Sequence, residues 1–263
     1  MPDRPLILLP PSEGKTTAGT GGPWSPGAST YDRLDRPRRT VIAALREALR
    51  GEPAKLLGVK GDALAAAVAA DRAILRSPTL PAIERYSGVL YGELDAASLP
   101  AVSRRHLGAQ VRIFSGMWGV VGALDPIPDY KLKMGATLPR TGKLSTWWRP
   151  HLDRALGPDV TGRVVWDLLP NEHSAAWTGG GTDTRRITVR FLDDQSNGRG
   201  RELVAVSHWN KVLKGALVRH LLASGLDEPD GLTEFVHPLG YAYRPDLTVH
   251  DGSATQVSLV ARR

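Results

Sequence analysis

The chain of 263 residues contains no cysteine. That excludes a disulfide framework, a thiolate nucleophile and a cysteine-ligated zinc site, and it leaves three methionines as the only oxidisable sulfur. Long apolar runs are also missing. The short stretch Leu6 to Leu9 is too brief for a signal peptide, and nothing approaches membrane-spanning length, so a cytoplasmic protein without a membrane partner is expected. The seven histidines show no i, i+4 pairing, which argues against a metal site. The triplet Gly14-Lys15-Thr16 after a strand mimics the end of a phosphate-binding P-loop. The glycine required five positions before Gly14 is Leu9, however, so a nucleotide triphosphatase is rejected and no cofactor is expected.

What is present is a balance for a normal core: 41% hydrophobic and 23% charged, with Lys+Arg 34 against Asp+Glu 27 and a net charge of +7. The excess of positive charge makes a polyanionic partner plausible without identifying it. No internal repeat or linker divides the chain, and one α+β unit spanning residues 1–263 is expected.

The pattern predicts a buried strand at Leu6–Leu9 stopped by Pro10-Pro11, and an amphipathic helix over 34–49 with Arg38, Arg39 and Arg46 off its apolar stripe. Around 38–75 two helices flank a glycine turn, Gly58-Val59-Lys60-Gly61. That is the layout of a helix-hairpin-helix module, in which exposed amides and a helix N-terminus receive a phosphate with Lys60 as counter-charge; a plain αα-hairpin shares the same glycine signal. Tyr86 to Asp95 reads as a short aromatic strand, and 164–169 as a buried one. Residues 185–192 and 203–208 read as a hairpin turning at 193–198. A helix covers Asn210–Leu222, and a strand with Val257, Leu259 and Ala261 ends the chain. On the 210–222 helix, Val212, Leu213, Ala216, Leu217, His220 and Leu221 form one face, while Lys211, Lys214 and Arg219 cluster around Gly215 on the other.

The densest segment runs from Val111 through Ser115-Gly116-Met117-Trp118-Gly119 to Asp129-Tyr130-Lys131-Leu132-Lys133-Met134-Gly135, a strand passing into a glycine- and charge-rich loop. Asn171-Glu172-His173 follows the strand at 164–169 and sets an acid and a base where active sites often lie, so Glu172 and His173 are the catalytic candidates. The candidate anion-binding residues are Ser12, Lys15, Gly58, Lys60, Gly61, Ser115, Tyr130, Lys131, Lys211, Lys214 and Arg219.

Ile7 to Thr16, Tyr86 to Tyr91, Ser115 to Gly135 and Lys211 to Arg219, in that order, resemble the YaaA family of bacterial peroxide stress proteins, also called DUF328 or UPF0246. The resemblance implies a single α+β domain of unusual topology with a mixed sheet, a basic cleft and a helix-hairpin-helix element that binds duplex and branched DNA. It also implies a role in limiting oxidative damage by keeping intracellular iron low. On matching positions, Ser12, Lys15, Ser115, Gly116, Gly119, Asp125, Tyr130, Lys131, Met134, Gly135, Glu172, Lys211, Gly215 and Arg219 would line that cleft. The chain departs from the family pattern with Lys131 for an arginine and Lys133 for an acid; only arginine offers a planar fork to phosphate. Two functions follow as expectations: a DNA-binding stress protein, or an enzyme acting on a small anionic or nucleotide-like metabolite.

Overall fold

The computed structural model describes residues 4–181, 183–195 and 202–262. In chain order the elements are β1 (Leu6–Leu9), β2 (Gly21–Pro23), α1 (Asp35–Ala48), α2 (Pro53–Leu57), α3 (Gly61–Ala73), β3 (Pro78–Pro81), α4 (Ala82–Arg85), α5 (Val89–Leu94) and α6 (Ala101–Gln110). There follow β4 (Val111–Ser115), β5 (Gly119–Gly122), β6 (Pro126–Ile127), β7 (Thr137–Leu138), β8 (Gly142–Lys143), α7 (Leu144–Val160), β9 (Val164–Asp167) and α8 (Asn171–Ser174). The last third holds β10 (Arg185–Asp194), β11 (Leu203–Ala205), α9 (Asn210–Ser224), β12 (Ala242–Tyr243), β13 (Val249–Asp251) and β14 (Ala254–Arg262).

A mixed sheet organises the α+β domain, in the order β12-β14-β10-β9-β1-β4-β5. Its middle is parallel: β1 pairs with β4 on one side and β9 on the other, β9 pairs with β10, and β10 with β14. Antiparallel strands close both edges. Every residue of β1, β4 and β9 is buried, as befits parallel strands covered on both faces, and this is why their sequences are apolar runs rather than alternations. The core built on them is one continuous cluster, with Trp118, Trp148 and Trp166 among its largest fully buried side chains.

Several expectations hold. The helix over 34–49 is α1, and the helix over 210–222 is α9. The strands at Leu6–Leu9, 164–169 and the C-terminus form, and β10 pairs antiparallel with β11 as Leu192↔Ala205. Residues 196–198 of the expected turn lie outside the described residues.

Four readings are corrected. Residues 89–94 of the expected aromatic strand form α5, and Tyr86 makes only an isolated bridge to Lys15. The tyrosines serve packing, with the Tyr86 and Tyr91 rings 5.3 Å apart, so burial overrides their strand propensity. The glycine-rich segment after β4 returns at once as β5, with Ser115 opposite Gly119, rather than opening into a loop. Arg38 is fully buried, not solvated. Its guanidinium donates to the carbonyl oxygens of Trp118 (3.1 Å) and Val120 (2.9 Å) and to Asp35 (2.9 Å), so it satisfies an edge strand that has no partner beyond β5.

The buried face of α9 is also rotated from the expected one, toward Leu213, Gly215, Leu217, Val218, Leu221 and Leu222. Gly215 explains the shift: α5 lies against it, and a Cβ there would stand 2.5 Å from the Leu90 carbonyl oxygen and 2.7 Å from Glu93 Cβ. Gly215→Ala gains about 1 kcal/mol of helix propensity. It must also force two helix backbones apart, so a net loss of roughly 1–2 kcal/mol is expected. A lowered Tm checks this, and an unchanged or raised Tm would show that α5 and α9 do not need the contact.

Candidate functional site

The parallel strands β9, β1 and β4 are neighbours and end on the same edge of the sheet. The chain leaves β1 to pair on one side with β4 and later returns to the other side as β9. Open α/β sheets bind ligands outside the carboxyl ends of strands at such a reversal. Here those ends deliver Pro10 to Lys15 from β1, Ser115 from β4, and Leu168 to His173 from β9.

Three recesses adjoin along this edge. The innermost, about 120 Å³, is walled by Ser12, Glu13, Lys15, Tyr130, Lys131, Lys133, Met134, Glu172 and His173. One neighbour, about 620 Å³, shares Lys133 and Glu172 with it and reaches Lys55 and Gly58 of the α2–α3 turn. The other, about 290 Å³, shares Ser12, Glu13, Glu172 and His173 and reaches Lys211. Together they form a groove that carries both signs of charge.

Lys15 is the best-buried cation of the inner recess. Backbone bonds from Thr16 N–H to Arg85 O (2.9 Å) and from Ser87 N–H to Gly14 O (3.2 Å) fix its loop. Its Nζ donates to the Ser12 carbonyl oxygen at 3.0 Å and lies 4.4 Å from the centre of the Tyr130 ring and 5.5 Å from that of Tyr86. Burial pushes its ammonium down to about 8, with Asp129 opposing and Lys131 adding repulsion.

Beneath it a hydroxyl chain sets the floor. The hydroxyls of Tyr86 and Tyr130 are 2.7 Å apart, and those of Tyr130 and Ser115 are 2.7 Å apart; Ser115 Oγ also accepts from the Trp118 N–H at 3.0 Å. At the rim Glu13 pairs with Lys133 (3.2 Å) and Lys131 (3.3 Å), and the hydrogen bond from Lys133 holds its carboxyl below the ordinary range against the opposing effect of burial. Glu172 accepts from the Gly135 N–H.

Two of the buried groups with unmet polar atoms, His173 and Asp71, also have strongly displaced titrations. Both ring nitrogens of His173 lack a hydrogen-bond partner, and burial pushes its imidazole down to about 4, so it is neutral at physiological pH. Asp71, on α3, accepts the Lys131 N–H at 2.8 Å with one oxygen while the other has no partner, and burial pushes its carboxyl up to about 7.

Of the residues singled out in the sequence, Ser12, Lys15, Tyr130, Lys131, Glu172 and His173 meet in the inner recess, while Lys211 and Gly58 lie in its neighbours. Lys60 and Gly61 stand exposed on the α2–α3 turn, whose glycines are left-handed, with φ of 67° at Gly58 and 57° at Gly61. Ser115 is buried support. Lys214 turns inward to donate to the Leu168 carbonyl oxygen at 2.7 Å, and burial pushes its ammonium down. Arg219 donates to the carbonyls of Leu94 (2.8 Å) and Asp95 (3.0 Å) at the end of α5, away from the groove. The sequence reading missed Glu13, Lys55, Lys133 and Asp71 as site residues. Asp71 had a signal: on α3 it continues the stripe Leu64, Ala67, Val68, a place where an acid must be buried.

Among the described residues no group of three or more His, Cys, Asp or Glu could hold a metal ion, and no helix is long and apolar enough to cross a membrane. The fold and groove define an α+β protein with a mixed-charge recess at the carboxyl edge of a largely parallel sheet. The chain belongs to the YaaA family: the family model described as peroxide stress protein YaaA matches residues 6–247. It is 36% identical over 252 residues to a UPF0246 protein of Streptomyces coelicolor, covering 94% of this chain and 95% of that one. A UPF0246 protein of Corynebacterium glutamicum is 39% identical over 223 residues, covering 83% and 85%, and one of Roseobacter denitrificans 35% over 179 residues, covering 66% and 68%.

The two buried groups bias stability in opposite directions. A carboxyl whose folded value is raised contributes stability below its unfolded value and loses it as pH rises, so Asp71 weakens the fold from about pH 3.8 to about 7. An imidazole whose folded value is depressed favours the fold above its unfolded value, so His173 weakens it as pH falls from 6.5 to about 4. Asp71→Asn is therefore expected to leave stability rising with pH across this window, and His173→Leu to leave it falling, each by up to a few kcal/mol. Urea unfolding at stepped pH measures both slopes, and parallel profiles for the two variants would contradict the assignment.

Proposed function

We propose that the protein binds nucleic acid through its phosphates, as a member of a peroxide stress family. The observation that carries this reading is the α2–α3 turn. Gly58 and Gly61 hold it in a left-handed backbone at the N-terminus of the 13-residue α3, its residues Gly58, Lys60 and Gly61 are exposed, and it opens onto the 620 Å³ recess with Lys55 and Lys133. A helix N-terminus with free amides and adjacent lysines is suited to a phosphate, and on this reading the turn between the five-residue α2 and α3 serves as the hairpin of a helix-hairpin-helix. The net charge of +7 adds a long-range attraction.

A second reading has its own observation. The inner recess is small and lined by ionisable groups, Lys15, Glu172 and His173, at the carboxyl edge of the sheet. An enzyme acting on a small anionic or nucleotide-like molecule would use such a place, with Lys15, Lys131 and Lys211 holding charge and Glu172 moving a proton.

Fluorescence anisotropy with duplex and branched DNA separates the two. Nucleic-acid binding is expected to weaken steeply between low and moderate salt. Lys55→Glu with Lys60→Glu, both exposed, is expected to lower affinity by roughly tenfold and to flatten the log Kd against log salt slope by about one for each phosphate that is no longer neutralised. Affinity indifferent to salt and to both substitutions would remove the nucleic-acid reading.

A further inference from the structure

We propose that Lys15 is an imine-forming amine that captures an aldehyde carried beside a phosphate, the carbonyl entering the inner recess while the phosphate meets Lys131 and Lys133 on its wall. The inference rests on the reading of this groove as a phosphate-binding surface.

The setting of Lys15 carries it. The Nζ has a neutral carbonyl as its hydrogen-bond acceptor, that of Ser12, and faces two tyrosine rings. The charges acting on it are divided: Asp129, Asp71 and Glu13 favour the ammonium, while burial and Lys131 oppose it. With its ammonium pushed down to about 8, the neutral amine at pH 7 is about two orders of magnitude more abundant than in an ordinary lysine. Among the described residues no carboxylate forms an ion pair with Lys15, whereas Lys131 and Lys133 on the same wall are both paired with Glu13.

The recess fits a short carbonyl-bearing chain. Its volume of about 120 Å³ lies well below the roughly 300–1,000 Å³ that encloses a drug-sized ligand. Among the described residues the side-chain amines of Lys131 and Lys133 pair with the carboxylate of Glu13 alone, whose side chain is 69% exposed. Both pairs end on this exposed carboxylate, and Lys133 is itself half exposed while Lys131 is more covered, so an entering phosphate competes with Glu13 first at Lys133.

The step balances without a further reactant. The amine lone pair forms the C–N bond as the carbonyl π pair moves to oxygen, giving a carbinolamine. The nitrogen gives one proton to the oxygen, a second proton comes from solvent to replace the one the ammonium shed, the oxygen leaves as water, and an iminium remains. Glu172, whose exposed carboxylate lines the same recess, can carry the proton, whereas both ring nitrogens of His173 are sealed from it.

Two sources offer this chemistry: the ring-opened sugar of an abasic site in DNA, and a free phosphorylated aldehyde. The full chain is incubated with sodium borohydride and either a duplex containing one abasic site or ribose 5-phosphate, and the reduced adduct is mapped by peptide mass spectrometry. An intact duplex is titrated in parallel. The expected result is a secondary amine at Lys15 with at least one probe, faster as pH rises through neutrality, and reduced by about tenfold or more in Lys15→Arg, which keeps the positive charge. Which probe reacts identifies the source. Mapping wild-type protein keeps the test valid if that variant fails to fold. No adduct with either probe, or adducts at exposed lysines such as Lys60 with Lys15 unmodified, would overturn the proposal. Binding of intact duplex without trapping would remove the imine alone, whereas trapping without duplex binding would remove the nucleic-acid reading alone.

Discussion

The parallel placement of β1 between β4 and β9 is the constraint on which the rest of the molecule depends. Three fully buried strands with the same direction must release their chains at one edge, and that edge is where Lys15, Ser115 and His173 come within one neighbourhood. The prolines Pro10 and Pro11 stop β1 sharply, because a proline cannot donate to the ladder. The carbonyl of Pro10 then accepts from the Tyr91 hydroxyl at 2.7 Å, and the loop is fixed against α5. Burial of the strands and geometry of the recess are thus one arrangement.

Positive charge in this chain divides between two duties. Several arginines are consumed by backbone carbonyls: Arg38 at the β5 edge, Arg85 at Pro78, Ala18 and Ile127, and Arg219 at the end of α5. Guanidinium suits this work because its planar set of donors satisfies several carbonyls at once. The lysines Lys15, Lys131, Lys133, Lys55 and Lys211 instead face the groove. Glu13 and Glu172 stand among them, so the recess is a mixed surface in which an incoming anion must displace a carboxylate or settle beside it.

The unmet polar atoms of His173 and Asp71 belong to the same design. Each is buried, His173 in the wall of the recess and Asp71 against the Lys131 backbone, and each keeps at least one polar atom without a partner. A protein stabilised only for its own sake would replace them with apolar groups. Other buried polar atoms without partners lie elsewhere in the fold, at Trp24, His106, Gln110, Trp147 and His220, so what sets His173 and Asp71 apart is their displaced titration close to Lys15 and the recess.

Much of the scaffold was legible from local pattern. Apolar runs gave β1 and β9, period 3.6 gave α1 and α9, and alternation gave the β10 hairpin. The glycine turn at 58–61 was visible because only glycine adopts those backbone angles freely. Family membership was legible for the same reason, since the motifs are contiguous. The roles of single side chains were not. Arg38, Lys214 and Arg219 look alike in sequence to solvated cations, yet each is bound to carbonyls contributed by residues 46 to 125 positions away. Asp71 and Tyr130 meet Lys15 only because α3 and the 129–135 segment close over the β1 loop. Hydrophobic periodicity is a property of neighbours along the chain, so the sequence determined the elements and the glycine turn by itself. Desolvation and partner choice depend on atoms brought together from distant segments, so only the tertiary structure decided which cations face the groove and which are spent on the fold.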